Sequence, residues 1–194
     1  MNMRKPQYPI DPIFVRRWST RAFDSSSMPK EDLFRLIEAA RWAPSAYNVQ
    51  PWRFIYALRG TPAFERFVQL LVPANASWAK SASALVFVLS DSQVDREDGS
   101  QSASSTHAFD TGAACAQLAL QAPLLGYQAH VMAGIYADEA AQALAVPNRL
   151  TVQVAIAIGR PAPKTVLPEA LQSHEIPSQR RPVHSIVMAE RFGA

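Results

Sequence analysis

Apolar and polar positions change period several times along the chain, and each change marks an element. In "SMPKEDLFRLIEAARWA" the residues Leu33, Leu36, Ile37 and Ala40 recur at i, i+3, i+4 and i+7, which predicts one buried helical face. Ser27 and Pro29 ahead of it have the grammar of a capped helix start, as do Asp11 and Pro12 before "IFVRRW" and Thr61 and Pro62 before "AFERFVQLL". "WRFIYAL" (52–58) alternates and is rich in aromatic and β-branched residues, as a strand requires. "ALVFVL" (84–89) is continuously apolar, the pattern of a central strand covered on both faces. An Ala-rich helix is expected from Asp110 to Leu125, strands in 127–135 and 150–159, and a helix between them in "DEAAQALAV".

Two segments break the pattern. "SDSQVDREDGSQSASST" (90–106) is polar and reads as a mobile loop. Residues 160–194 carry five prolines and little periodicity before "VHSIVMA", so this tail is either disordered or lies along another surface. The remaining order, helices first and then strands alternating with helices, predicts a mixed sheet covered on both sides.

A chain of 194 residues fits one domain, 1–194, and buries about 70% of its unfolded surface without disulfide or metal staples. No apolar run approaches the roughly 20 residues of a membrane span, and "MNMRKPQYPID" has no apolar stretch behind its charges; the expected place is the cytoplasm, away from membranes. The single cysteine, Cys115, lies in "GAACAQLAL" and is read as a packing thiol rather than a nucleophile. The net charge of +3 is scattered rather than gathered in a tract, which suits a phosphorylated small molecule better than a nucleic acid.

Familiar catalytic patterns are missing. The seven glycines stand apart, so there is no dinucleotide turn or P-loop, and the four histidines lack metal-ligand spacing. There is no G-x-S-x-G elbow either. No side chain stands out as catalytic, so an enzyme of this sequence would borrow its chemistry from a bound cofactor. "RRWSTRAF" sets Arg17, Ser19 and Arg21 at alternate positions of an extended chain, where two guanidiniums and a hydroxyl converge as a phosphate receptor. "PSAYNVQP" is a stiff corner between Pro44 and Pro51 that presents Ser45, Asn48 and Gln50.

"RxSxR" followed about two dozen residues later by "APSxxNxQPW" closely resembles the FMN-dependent nitroreductase family; "DTGAACAQLALQAPLLGY", "HVMAGIY" and "VAIAIGRP" extend the likeness over most of the chain. The resemblance implies an α+β three-layer sandwich whose mixed, mainly antiparallel central sheet is flanked by helices. It also implies an obligate homodimer with one FMN at each subunit interface, and a C-terminal arm, 160–194, that wraps the partner and adds "VHSIVMA" to its sheet. Carried onto this chain, Arg17 and Ser19 hold the FMN phosphate, and Arg21 lies at the pyrimidine edge of the flavin. Pro44, Ser45 and Asn48 come from the partner's corner, and Asn75 contacts the pyrimidine ring. Ala133 and Gly134 approach flavin N5 through their backbone, and Arg180, with Arg181 beside it, returns to the phosphate. Tyr47 is the candidate to stack on a flat substrate.

The implied activity is a ping-pong transfer of hydride from NAD(P)H through flavin N5 to a nitroaromatic, quinone or similar acceptor, with no metal. The rivals are a same-fold flavoenzyme of another reaction, such as dehydrogenation or dehalogenation, a non-catalytic flavin carrier, and a basic nucleic-acid-binding domain. The acceptor, the choice of NADH or NADPH, and one- or two-electron reduction are not legible in these residues.

Overall fold

A computed structural model describes residues 4–192; residues 1–3 and 193–194, the last two of the expected arm, lie outside it. Helix α1 (Ile13–Arg16) is a single turn whose first N–H donates to Asp11 Oδ1 at 2.8 Å, so Asp11 caps it as expected. Helix α2 (Lys30–Arg41) buries Leu33, Leu36 and Ala40, the predicted face. Ser27 does not cap it: the extended Pro29 immediately precedes the helix, and Glu31 and Asp32 complement the first turn's positive dipole end instead.

Strand β1 (Trp52–Leu58) leads to helices α3 (Pro62–Gln69) and α4 (Pro73–Ala79), then to strand β2 (Ala84–Asp91). Thr61 Oγ1 accepts from the Phe64 N–H, closing the start of α3. The segment expected as a mobile loop is folded: β3 (Gln93–Asp95) and β4 (Gln101–Ala103) pair as a small antiparallel hairpin. Arg149 anchors it, reaching Asp91 at 2.9 Å and Asp95 at 3.1 Å. Polarity at 90–106 therefore marks an exposed hairpin held by charge rather than an absence of structure.

Helix α5 (His107–Gln121) starts three residues before the expected Asp110 and is shorter at its end, where Pro123 lacks an N–H and the last turn tightens into a 3₁₀ helix. Gly126, at φ +78°, closes it in the left-handed region. Strand β5 (Gln128–Met132), helix α6 (Ala137–Ala143), strand β6 (Leu150–Gly159) and the short helix α7 (Glu169–Gln172) complete the order. "VHSIVMA" forms one 3₁₀ turn, Val183–Ser185, and no strand within this chain.

The main sheet has the order β1-β2-β6-β5, and every pairing in it is antiparallel. Strand β2 is buried along its whole length, as its unbroken apolar run predicts. Its residues sort by the strand's two-residue period: Ala84, Val86 and Val88 meet α2 and α5, while Leu85 and Phe87 meet α3 and α4. Ile156 and Ile158 join the first layer; Ala155 and Ala157 join the second. The result is an α+β sandwich with helices on both faces and β5 at one edge of the sheet.

Phe87 is fully buried and meets Phe67 edge-on at 5.2 Å, so truncating it leaves a cavity between the sheet and α3. Phe87→Ala is expected to cost about 3–5 kcal/mol, read as a shift of the urea midpoint at constant slope.

Candidate functional site

Residues 17–21 run past strand β5 without pairing to its backbone; backbone pairing begins only at 22–24, against 160–162. Side chains take the ladder's place. Gln128 Oε1 accepts from the Trp18 N–H at 3.4 Å, and the His130 ring donates from Nδ1 to the Thr20 carbonyl at 2.9 Å. A carbonyl only accepts, so Nδ1 carries a proton. His130 also packs on Trp78, ring centroids 4.6 Å apart. On the other side, Glu175 receives the N–H groups of Arg21 and Ala22 at 2.8 and 3.0 Å, together with the Thr20 hydroxyl. Phe23 then bridges to Pro161.

This bracing sets the alternate residues Arg17, Ser19 and Arg21 on a cavity of about 210 Å³ lined also by Arg4, His130, Ser178 and Arg180. Four guanidiniums converge there. Arg21 lies 3.9 Å from the Glu175 carboxylate, whereas Arg17 and Arg180 form no ion pair among the described residues. Burial, then the charge of Arg180, lowers the pKa of Arg17. Arg4 is lowered by burial and by the charges of Arg180 and Arg17. Like charges crowded in a partly buried place are stabilised by an anion, and planar guanidinium forks suit phosphate oxygens.

Four of the expected phosphate-site and flavin-site side chains, Arg17, Ser19, Arg21 and Arg180, thus meet in one cavity. Arg181 instead lines an adjoining cavity between the two chain ends. Asn75 and Gly134 also meet: Asn75 Nδ2 donates to the Gly134 carbonyl at 3.0 Å. A side chain at 134 would place its Cβ 2.5 Å from that nitrogen and 2.9 Å from the Val72 side chain, so a larger residue would force both neighbours to shift. Ala133 and Gly134 follow β5, and Gly134 is at most about 14 Å of extended chain from His130 in the cavity.

The corner residues Pro44, Ser45, Tyr47 and Asn48 do not join this cavity within the chain. Tyr47 is fully exposed and lines a separate recess against the β3–β4 hairpin. The corner is stiffer than its prolines alone imply. Tyr47, Asn48 and Gln50 have φ of +50°, +56° and +52°, each costing about 1 kcal/mol for a residue with a side chain. Ser45 Oγ accepts from the Gln50 N–H at 3.0 Å, and Asp110 Oδ2 accepts from the Ala46 N–H at 3.2 Å, tying the corner to α5.

Arg4, Thr20 and Glu175 were missed as parts of this site, while His130, weighed as a proton donor but read as a satisfied strand histidine, is hydrogen-bonded and packed on Trp78 and also lines the cavity. Arg4 and Glu175 stand alone in their sequence surroundings, and only the fold brings the chain ends together. Thr20 had a visible signal, since it lies inside "RWSTRAF".

Together these features define an antiparallel α+β sandwich with a cavity lined by four arginines beside its edge strand β5. The chain belongs to the nitroreductase family, whose model matches residues 15–160. A crystal structure described as an oxidoreductase containing FMN is 46% identical, with TM-score 0.96 over 99% of this chain and 97% of that one. A Desulfovibrio desulfuricans protein solved in complex with FMN is 26% identical, with TM-score 0.72 over 96% and 99% of the two chains. Among curated proteins, the CLA biosynthesis enone reductase of Lactiplantibacillus plantarum is 36% identical over 42% of this chain and 37% of its own length. A Rhodopseudomonas palustris protein provisionally named NADH dehydrogenase/NAD(P)H nitroreductase is 28% identical over 48% and 47%. The chain therefore spans less than half the length of these two relatives.

Cys115 is 7% exposed, and burial pushes its thiol up to about 11. At pH 8 the native protein should react with a thiol reagent far more slowly than the unfolded chain, which a chromogenic disulfide assay reads directly. His130 supplies a second prediction. Burial is the largest cause of its lowered pKa, with Arg21 and Arg17 adding to it against the opposing pulls of Thr20 and Glu175. Below the ordinary value of 6.5 the unfolded chain binds a proton that the folded chain resists. Stability is accordingly full above that value and falls as pH drops through it. Thermal melts from about pH 8 to 5 should show a steeper acid loss in the wild type than in His130→Gln.

Proposed function

We propose that the chain is an FMN-dependent oxidoreductase that accepts hydride from NAD(P)H and delivers it, in a ping-pong cycle, to an electron-poor acceptor such as a nitroaromatic or quinone. The observation that carries this reading is the cationic cavity in which Arg17 and Arg180 converge without a carboxylate partner among the described residues. It is supported by 46% identity to an oxidoreductase containing FMN across nearly the whole chain.

The residues present fit the cofactor. Arg17 and Arg180 would hold its phosphate, with the Ser19 hydroxyl donating beside them and Arg4 adding charge. Arg21 would lie toward the pyrimidine edge, where positive charge favours added electron density on the ring. Asn75 and the Ala133–Gly134 backbone would shape the far end, because the missing Cβ at 134 lets main chain come close. When bound, FMN supplies the redox chemistry, taking and giving electron pairs that no side chain of this chain offers.

A cavity of about 210 Å³ is small beside the 300–1,000 Å³ typical of ligand pockets. It suits the phosphate end and leaves the ring to be walled from elsewhere. A homodimer provides that wall in this reading, with the partner's Pro44–Asn48 corner over the flavin and Tyr47 against the substrate. The groove along α5, about 610 Å³ and lined by Ala108, Gly112, Ala116 and Ala119, is the dimer face, and the 160–194 arm wraps the partner. Sequence shared with an enone reductase extends the acceptor class to conjugated carbonyl compounds.

The purified protein should show paired flavin bands that bleach under argon with NADH or NADPH. A colourless protein that takes up no added FMN overturns the reading. Initial rates at several acceptor concentrations should give parallel double-reciprocal lines; intersecting lines would remove the ping-pong scheme. Arg17→Ala should weaken FMN about 10–100-fold, the loss of one charge-assisted contact.

A further inference from the structure

The C-terminal segment contributes more than one residue to the cavity. His174, Ile176, Ser178 and Arg180 all line it, and Glu175 sits among them with its side chain only 3% exposed. That carboxylate is spent on backbone. Oε1 accepts the N–H groups of Arg21 and Ala22 at 2.8 and 3.0 Å and the Thr20 hydroxyl, while Oε2 takes a second contact from the Arg21 N–H at 3.1 Å. Its approach to the Arg21 guanidinium, at 3.9 Å, is loose by comparison. Five residues on, Arg180 Nη1 is held by its own loop, donating to Ser178 Oγ at 2.9 Å and to the Gln179 carbonyl at 3.1 Å.

We propose that Glu175 is a positioning residue: it latches the C-terminal segment to backbone 20–22 and thereby keeps Arg180 on the same cavity as Arg17. The identity of that anion as the FMN phosphate rests on the functional reading above; the latch itself does not. Two roles for the carboxylate predict opposite signs. If Glu175 only offsets the cations, removing its charge leaves a more positive cavity and tightens phosphate binding. If it positions them, the neutral isostere loses the geometry and binding weakens. Glu175→Gln separates the two because it keeps the shape while turning one acceptor oxygen into a donor that faces N–H groups.

The experiment measures FMN and riboflavin affinities of the flavin-free protein by fluorescence quenching, with hydrogen exchange at the amides of Arg21 and Ala22. Glu175→Gln should weaken FMN at least about tenfold, weaken riboflavin several-fold less because only the Arg21 edge contact is common to both, and speed exchange at both amides. In an Arg180→Ala background the same substitution should add less than about threefold, since the contact it positions is already gone. Unchanged or tighter FMN binding, equal losses for both flavins, or full additivity with Arg180→Ala overturns the proposal. Should Glu175→Gln not fold, Thr20→Val removes one partner of the carboxylate and should produce a smaller loss of the same FMN-selective kind; wild-type affinity for FMN would overturn the latch. If the wild type binds neither flavin, the functional reading fails by itself. Inorganic phosphate affinity and amide exchange then test the latch, with the same losses expected and wild-type values in the variant overturning it.

Discussion

An extended backbone segment that joins no ladder must still satisfy its N–H and C=O groups, and the site depends on how residues 17–21 meet that demand. They run beside an edge strand, yet their partners are Gln128, His130, Glu175 and Arg4, whose Nη1 donates to the Arg17 carbonyl at 2.8 Å. Side chains drawn from both chain ends and from β5 replace a neighbouring strand. This fixes the alternation of the segment, so Arg17, Ser19 and Arg21 face one cavity.

The arrangement concentrates positive charge where the fold provides little to offset it. Glu175 is the only carboxylate lining or bracing this place among the described residues, and most of its hydrogen bonds go to backbone. Burial is the main cause of the lowered pKa of Arg17, and the like charge of Arg180 adds to it. Such a site is costly to the folded chain, and an anion bound there would relieve the repulsion. The Pro44–Asn48 corner follows the same logic through backbone strain, with left-handed residues held by Ser45 and Asp110.

Most of the fold was legible because its elements obey simple periods. The stripe of Leu33, Leu36 and Ala40 and the unbroken run of β2 need no tertiary information to read. The errors lie where tertiary contacts decide. Ser27 has a capping side chain but no bond to the helix. The 90–106 segment is polar, yet an ion pair from Arg149, more than 40 residues further on, folds it into a hairpin. Of the site, Arg17, Ser19, Arg21 and Arg180 were visible through motifs and do meet. Arg4 and Glu175 were not, since a lone arginine near the start and a lone glutamate near the end carry no periodic or spacing signal.

Helix α5 touches both the strained corner and the groove beside the arginine cavity, which lie apart within the chain. Asp110, in its first turn, holds the strained corner, while Gly112, Cys115, Ala116 and Ala119 further along line a groove that ends at Arg17 and Arg180. Small residues on that face let another backbone come close. A second copy docked there about a twofold axis would present the same helix, and with it the same corner, to this cavity. On that arrangement one rigid helix carries both the wall offered to the partner and the floor of the groove that receives it. A substitution that shifts α5 would then disturb the partner's cavity as well as its own chain, which ties the cost of the strained corner to assembly rather than to the monomer's stability.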